Sequence, residues 1–267
     1  MVLIALFGAT AGQGVVWYTG QFYAMTFLEK TCSIEFVQTR NIIALALVFG
    51  TPLFIYFGWL SDKYGRKVIM MLGMILAVIL YRPIYMHIYS IADLSQKTEE
   101  TALFRQSERM EKSDEGKTIL IAESHRFYDD GTELIEVTRT PQDGGTASTK
   151  KEILLSGSMY QGMVGMVLIQ VILVTMVYGP IAAFLVEIFP TRIRYTSMSL
   201  PYHIGNGVFG GLTPFIASYL YENSKNASLP SGDPFAGLWY PIIVAAISFI
   251  IGMIFLPNRK KADVMGE

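Results

Sequence analysis

Charge is what this chain lacks over long stretches. No Asp, Glu, Lys or Arg occurs in residues 1–28, 41–61, 153–186, 195–221 or 234–258, and residues 68–92 carry one, Arg82. Each interval exceeds the roughly 20 residues that cross a bilayer as a helix, and a helix at the surface of a soluble domain would show charge on its outer face. Cysteine is nearly absent as well: Cys32 stands alone, which excludes an intrachain disulfide and any multi-cysteine metal site. With three histidines and no metal-ligand or Ser-His-Asp spacing, no metal, no cofactor and no enzyme activity is expected. The N-terminal apolar run is far longer than a signal core and has no basic leader, so it reads as a span.

The fold class expected is therefore an all-α membrane protein of six transmembrane helices with a small extramembrane insert, partly β. Spans one to three fall in 1–92, the insert in 93–157, and spans four to six with a basic tail in 158–267. Lys63, Arg66, Lys67, Arg192, Arg194 and the Arg259-Lys260-Lys261 tail lie beside one set of span ends, against Lys30, Arg40 and Lys225 beside the other. The positive-inside rule then puts both termini in the cytoplasm and the insert outside.

Between the second and third spans lies Gly58-Trp-Leu-Ser-Asp-Lys-Tyr-Gly-Arg-Lys67, read as a tight cytoplasmic loop. Gly58 and Gly65 allow close helix approach and backbone angles a side chain forbids. Asp62 is an acid among bases, able to pair with Arg66 or to face a helix N-terminus and so latch helices together in one state. This spacing resembles the signature loop of the major facilitator superfamily. A second stretch, Glu187-Ile-Phe-Pro-Thr-Arg-Ile-Arg194 followed by Tyr-Thr-x-x-Ser-Leu, is similar to that family's E-x-F-P-T-x-x-R signature. The order of motifs resembles the C-terminal six-helix half, closest to the metabolite:proton symporter group.

The resemblance implies a secondary active, proton-coupled transporter of a small metabolite, an organic acid or a compatible solute such as a betaine, in a bacterial inner membrane. It also implies a network of Glu187, Arg194 and Arg66 across three helix ends. Its partners would be the lipid bilayer, the substrate, protons, and either an N-terminal six-helix half or a second copy; no nucleic acid is expected. Met1 opens directly into a span, so a preceding segment is expected.

The polar residues inside spans are the candidate substrate surface. Gln13, Trp17 and Gln21 form one helical stripe with Tyr18 beside it, and an amide facing lipid would be unsatisfied. Arg82 either snorkels to an interface or attracts an anionic group. His203 is a candidate proton carrier or a packed hydrogen-bonding residue, next to Asn206 in a Gly- and Pro-rich fifth span. Gly8 with Gly12, and Gly207 with Gly211, have the spacing of close helix crossings.

In the insert, residues 118–126 and 134–139 read as strands joined by Asp129-Asp130-Gly131, residues 95–112 as a charged helix or irregular chain, and Pro141 to Gly145 as a second turn. His125 reads as a solvated strand residue. Asn226-Ala-Ser matches a glycosylation sequon. The competing reading is a membrane-anchored receptor or scaffold that acts through this insert.

Overall fold

The computed structural model describes residues 1–112, 118–142 and 146–257. Among these, five helices are long and apolar enough to cross a membrane: α1 (Val2–Thr31), α2 (Phe36–Tyr64), α3 (Arg66–Ala92), α4 (Gly157–Ile188), and a last one over Ala236–Phe255 whose α-helical part is α7 (Trp239–Phe255). The expected span at 195–221 is helical but divided. It consists of α5 (Arg194–Ile204), a π-helical segment Gly205–Gly210 and α6 (Thr213–Ser224). Pro201 and Pro214 remove amide donors there, and the glycines between them leave the backbone free to widen its turns. The basic tail at 259–261 and residues 143–145 of the second expected turn lie outside the described residues.

The helices and the insert resolve into two compact units: residues 1–26, 43–87 and from 164 onward in one, residues 27–42 and 88–163 in the other. In the first unit, polarity is inverted relative to a soluble bundle. Thr10, Gln13, Thr19, Gln170, Thr175, Thr213 and Ser248 are buried, whereas Val48, Phe49, Ile55, Trp59, Ile250 and Ile254 are exposed. Lipid accepts apolar side chains and rejects unpaired polar ones, so this distribution suits a bilayer.

α1 is held by its neighbours at carbonyls around its π turns. Tyr81 and Tyr85 of α3 donate their hydroxyls to the Val16 and Thr19 carbonyls, at 3.1 and 2.9 Å. The expected small-residue crossing at Gly8 and Gly12 is present, against α7. A Cβ on Gly8 would lie 3.1 Å from the Gly252 amide nitrogen, and one on Gly12 would lie 2.6 Å from the Ser248 Cβ.

The second unit contains an antiparallel sheet of β1 (Arg105–Lys112), β2 (Thr118–Phe127), β3 (Glu133–Pro141) and β4 (Ser148–Leu154), in sequence order. The hairpin read from the sequence is β2–β3; Gly131 in its turn has φ +78°, which only glycine adopts at no cost. Two expectations are corrected. The charged stretch 95–112 is neither helix nor irregular throughout but ends in strand β1, because β2 offers it eight residue positions in register. His125 is not simply solvated: Nδ1 lies 2.6 Å from Glu133 and Nε2 3.1 Å from Glu123.

The sheet is fastened to the α1–α2 connection within the same unit. The Gln38 side chain acts as a strand would, donating to the Leu155 carbonyl and accepting from its amide, both at 2.8 Å. Ile153 donates to the Ser33 carbonyl and accepts from the Glu35 amide, covering part of the outer edge of β4. Cys32 sits buried nearby, and burial pushes its thiol well above the usual range. It is therefore an inert filler at neutral pH.

At the hairpin turn, Lys97 pairs with Asp130 at 2.7 Å. Burial works to raise the Asp130 carboxyl, but hydrogen bonds from Lys97 and Thr132 overcome it and hold the pKa below the ordinary value. A carboxyl depressed on folding contributes stability that is complete above its unfolded pKa and is lost as pH falls through the folded one. Protection of the Tyr128 amide, which donates to Thr132, is expected to fall below about pH 4 in hydrogen exchange. In Lys97→Met that acid sensitivity should shrink.

Candidate functional site

Two clusters in the helical unit gather most of the residues singled out by sequence. The first lies where α1 crosses the α5–α6 segment. A Cβ on Gly14 would sit 2.3 Å from the Gly205 carbonyl oxygen, and one on Gly205 would sit 2.6 Å from the Thr10 carbonyl carbon. Backbone thus meets backbone, which puts Gln13 within reach of Asn206. Their amides exchange hydrogen bonds: Gln13 Nε2 donates to Asn206 Oδ1 at 2.9 Å, and Asn206 Nδ2 donates to Gln13 Oε1 at 3.1 Å. The crossing glycines are not the expected Gly207 and Gly211. A Cβ on Gly207 would meet nothing within 4 Å, and one on Gly211 would meet the Gly207 carbonyl of its own segment.

Around this amide pair stand hydroxyls and rings. Tyr178 of α4 and Tyr202 of α5 share a hydrogen bond of 2.6 Å. The Trp17 ring lies 4.4 Å from Tyr178, and Phe54 of α2 approaches both, at 6.3 and 6.0 Å. Tyr18 packs on Gly210, whose Cβ would come within 2.6 Å of the ring. One buried face of α4 adds Gln170, fully enclosed, with neither amide atom hydrogen-bonded; Gly20 of α1 packs on its backbone. A buried amide left unpaired costs about 1–3 kcal/mol, which makes Gln170 a candidate to meet a ligand or water. Gln21 Nε2 is likewise without a partner.

Other expected residues lie apart from this pair. Arg82 is exposed with its guanidinium 5.5 Å from the Trp239 ring centroid, a cation–π contact beside the start of α7. His203 is exposed and meets the Tyr202 ring edge-on at 5.7 Å. Tyr178 and Tyr202 lie in the fourth and fifth expected spans but were not assigned to the substrate surface from the sequence. The signal available for Tyr178 was its place eight residues after Gln170, on the same helical face.

Each half of the amide pair satisfies the other, so Gln13→Leu is expected to leave Asn206 underbonded and to lower stability by about 0.6–2 kcal/mol. A double-mutant cycle with Asn206→Leu, read by thermal denaturation in detergent, should show the two losses to be non-additive.

The second cluster lies where α2, α3, α4 and α7 end. The stretch from Gly58 is not a loop. Helix α2 continues through Tyr64, α3 starts at Arg66, and the reversal is made by Gly65 alone, at φ +104°. Gly58 therefore sits inside α2, where its own Cβ would meet nothing within 4 Å, although Gly179 of α4 comes near its backbone, a Cβ there lying 3.6 Å from the Gly58 nitrogen. The one-residue turn aims Arg66 at two carboxylates. It lies 3.0 Å from Asp62 on α2 and 2.9 Å from Glu187 at the end of α4. Arg194 does not join this network; its Nε donates to the Phe189 carbonyl at 3.1 Å.

Lys67 takes a place that the sequence did not assign. Its Nζ donates to the Met253 and Leu256 carbonyls, at 2.9 and 2.7 Å, at the C-terminal end of α7. Those carbonyls lack helical partners and carry the negative end of the helix dipole, so an ammonium is the fitting cap. A shallow cleft lies between Arg66, Lys67, Phe184, Glu187, Ile188 and Pro257.

Comparison with known proteins gives partial matches to transporters. The chain is 30% identical over 83 residues to a glycine betaine/proline/ectoine/pipecolic acid transporter of Dickeya dadantii, and equally to a proline/betaine transporter of Escherichia coli. It is 37% identical over 51 residues to the inner membrane metabolite transport protein YhjE of Escherichia coli. The longer matches cover 31% of this chain and 15% of the relative's length, and the shorter one 19% and 12%. No family model matches the chain. No solved structure matches it either. Together with the apolar helices, these partial matches mark a multi-pass membrane protein that is similar over part of its length to small-solute transporters.

Proposed function

We propose that this chain is the C-terminal six-helix half of a major-facilitator transporter in a bacterial inner membrane. It takes up an organic acid or a compatible solute such as a betaine, driven by protons. The observation that carries the reading is the Arg66–Glu187 ion pair. Its partners are 121 residues apart, each belongs to a stretch resembling a transporter signature, and they meet where three helices end. Both termini and this latch face the cytoplasm in the proposed orientation, as the basic residues beside them favour.

The Gln13–Asn206 pair, with Tyr18, Gln21, Tyr178 and Tyr202, forms one wall of the substrate site, and Arg82 serves the outer approach. Six helices furnish only half of an alternating-access cavity, so a second six-helix body supplies the other wall. Uptake of labelled glycine betaine and proline by cells making this chain with an N-terminal half should exceed that with either alone, and a protonophore should abolish it. Transport by the purified chain by itself would rule out a separate N-terminal half and leave a second copy of this chain as the other wall.

His203 is the proton carrier in this proposal, so His203→Ala should remove the pH dependence of uptake. An unchanged profile would return it to packing against Tyr202. The ordered sheet, clasped by Gln38, favours one other reading, a scaffold that works through residues 93–157. Deleting them should leave flux intact in a transporter and abolish the purpose of a scaffold.

A further inference from the structure

The two edges of the sheet differ. The outer side of β4 is partly covered by Ser33–Glu35, whereas β1 pairs with β2 on one side and, among the described residues, with nothing on the other. Arg105 to Glu111 are all exposed, including Met110 at 69%. A long free edge invites another strand, and natural sheets usually blunt such edges with charge. Here the charges do not block every partner: their order, Arg105-Gln-Ser-Glu-Arg-Met-Glu-Lys112, is complementary to itself.

From this edge we infer that the insert joins two copies of the chain, β1 against β1 in antiparallel register about a twofold axis through Met110. Geometry restricts the registers. Alternate residues of β1 turn their amide and carbonyl outward, and residues facing across an antiparallel pair must be of the same kind, so the axis passes through a residue and not between two. Centring on Glu108 sets Glu against Glu, and centring on Arg109 sets Arg against Arg. Centring on Ser107 sets Arg105 against Arg109 twice. Like charges directly opposed destabilise a strand pair. Centring on Met110 sets Arg109 against Glu111 twice, with the two methionines on the axis.

The same register extends one apolar row. Met110 lies opposite Leu120 on β2, so the joined sheets carry a row of Leu120, Met110 and their copies across the junction. Main-chain hydrogen bonds supply the attraction, and side-chain charge selects the register. This pairing is independent of the proposed transport function and stands or falls without it.

The test uses the full chain, purified in detergent, with Cys32→Ser so that introduced cysteines are the ones that react. Met110→Cys should be captured as a dimer by a short bis-maleimide. Gln106→Cys should not, because its two copies would be roughly 27 Å apart along the strands. By light scattering at micromolar concentration, Arg109→Glu should weaken the dimer about tenfold or more, equivalent to about 1.4 kcal/mol. The swap Arg109→Glu with Glu111→Arg should restore it. Protection of the Leu155 amide in hydrogen exchange confirms that each variant keeps its insert. A monomeric wild type, a dimer indifferent to Arg109→Glu, or a swapped protein that stays monomeric overturns the proposal.

Discussion

If the proposed transport function holds, replacing Arg66 by leucine is expected to cut uptake about tenfold or more, with substrate affinity close to unchanged. Arg66 and Glu187 are each about four-fifths enclosed, so the substitution strands a largely enclosed carboxylate at the end of α4. Lysine should not substitute well, because Arg66 reaches Asp62 through one nitrogen and Glu187 through another, and a point charge lacks that fork. Reversing the pair, Arg66→Glu with Glu187→Arg, should recover part of the loss. Asp62 is more exposed, and its pairing is correspondingly screened, so Asp62→Asn should slow conformational cycling by less than Arg66→Leu does. Uptake rate measured beside equilibrium binding separates the two effects. Binding lost together with rate would mean that the cluster shapes the site and is not a latch.

Gly205→Leu should remove most of the folded protein. Even the first carbon of a side chain there would sit 2.6 Å from the Thr10 backbone, which cannot swing aside as a flexible side chain can. The crossing must open, and with it the Gln13–Asn206 bonds and the 2.7 Å bond from the Thr10 hydroxyl to the Pro201 carbonyl. Overpacking of this kind costs about 1–3 kcal/mol, and each lost buried hydrogen bond adds about 0.5–1.5 kcal/mol. Gly207→Ala, two residues away and facing open space, is the control and should leave yield and melting temperature unchanged. Equal loss in both variants would show that backbone freedom in the π segment, not the crossing, is what these glycines serve.

How much of the site was legible follows from what kind of constraint each residue obeys. The contact of Asp62 with Arg66 was readable because a charge beside an apolar run has few places to go, whereas Glu187 was joined to Arg66 only through the resemblance of its stretch to a transporter signature. Arg194 was misplaced because two arginines at one membrane face look alike in sequence, and only the path of the chain after Pro190 turns one of them to the Phe189 carbonyl. Lys67 was counted merely as positive charge. Its role needs the end of α7, nearly two hundred residues later, to arrive beside it. The glycines show the same limit: spacing named Gly207 and Gly211, while the widened turn of the π segment rotates Gly205 and Gly210 into the crossing instead.

The sequence by itself determined that this chain carries long uncharged helices, that its polar residues within them must be satisfied internally, and where charge interrupts them. Those follow from the cost of putting charge or an unpaired amide into hydrocarbon, which acts residue by residue. Tertiary structure alone decided which amide meets which, which arginine finds a carboxylate, and that a charged stretch becomes the edge strand of a sheet. Such outcomes depend on contacts between segments far apart in the chain, where a change of one residue in register or a single π turn redirects every side chain that follows.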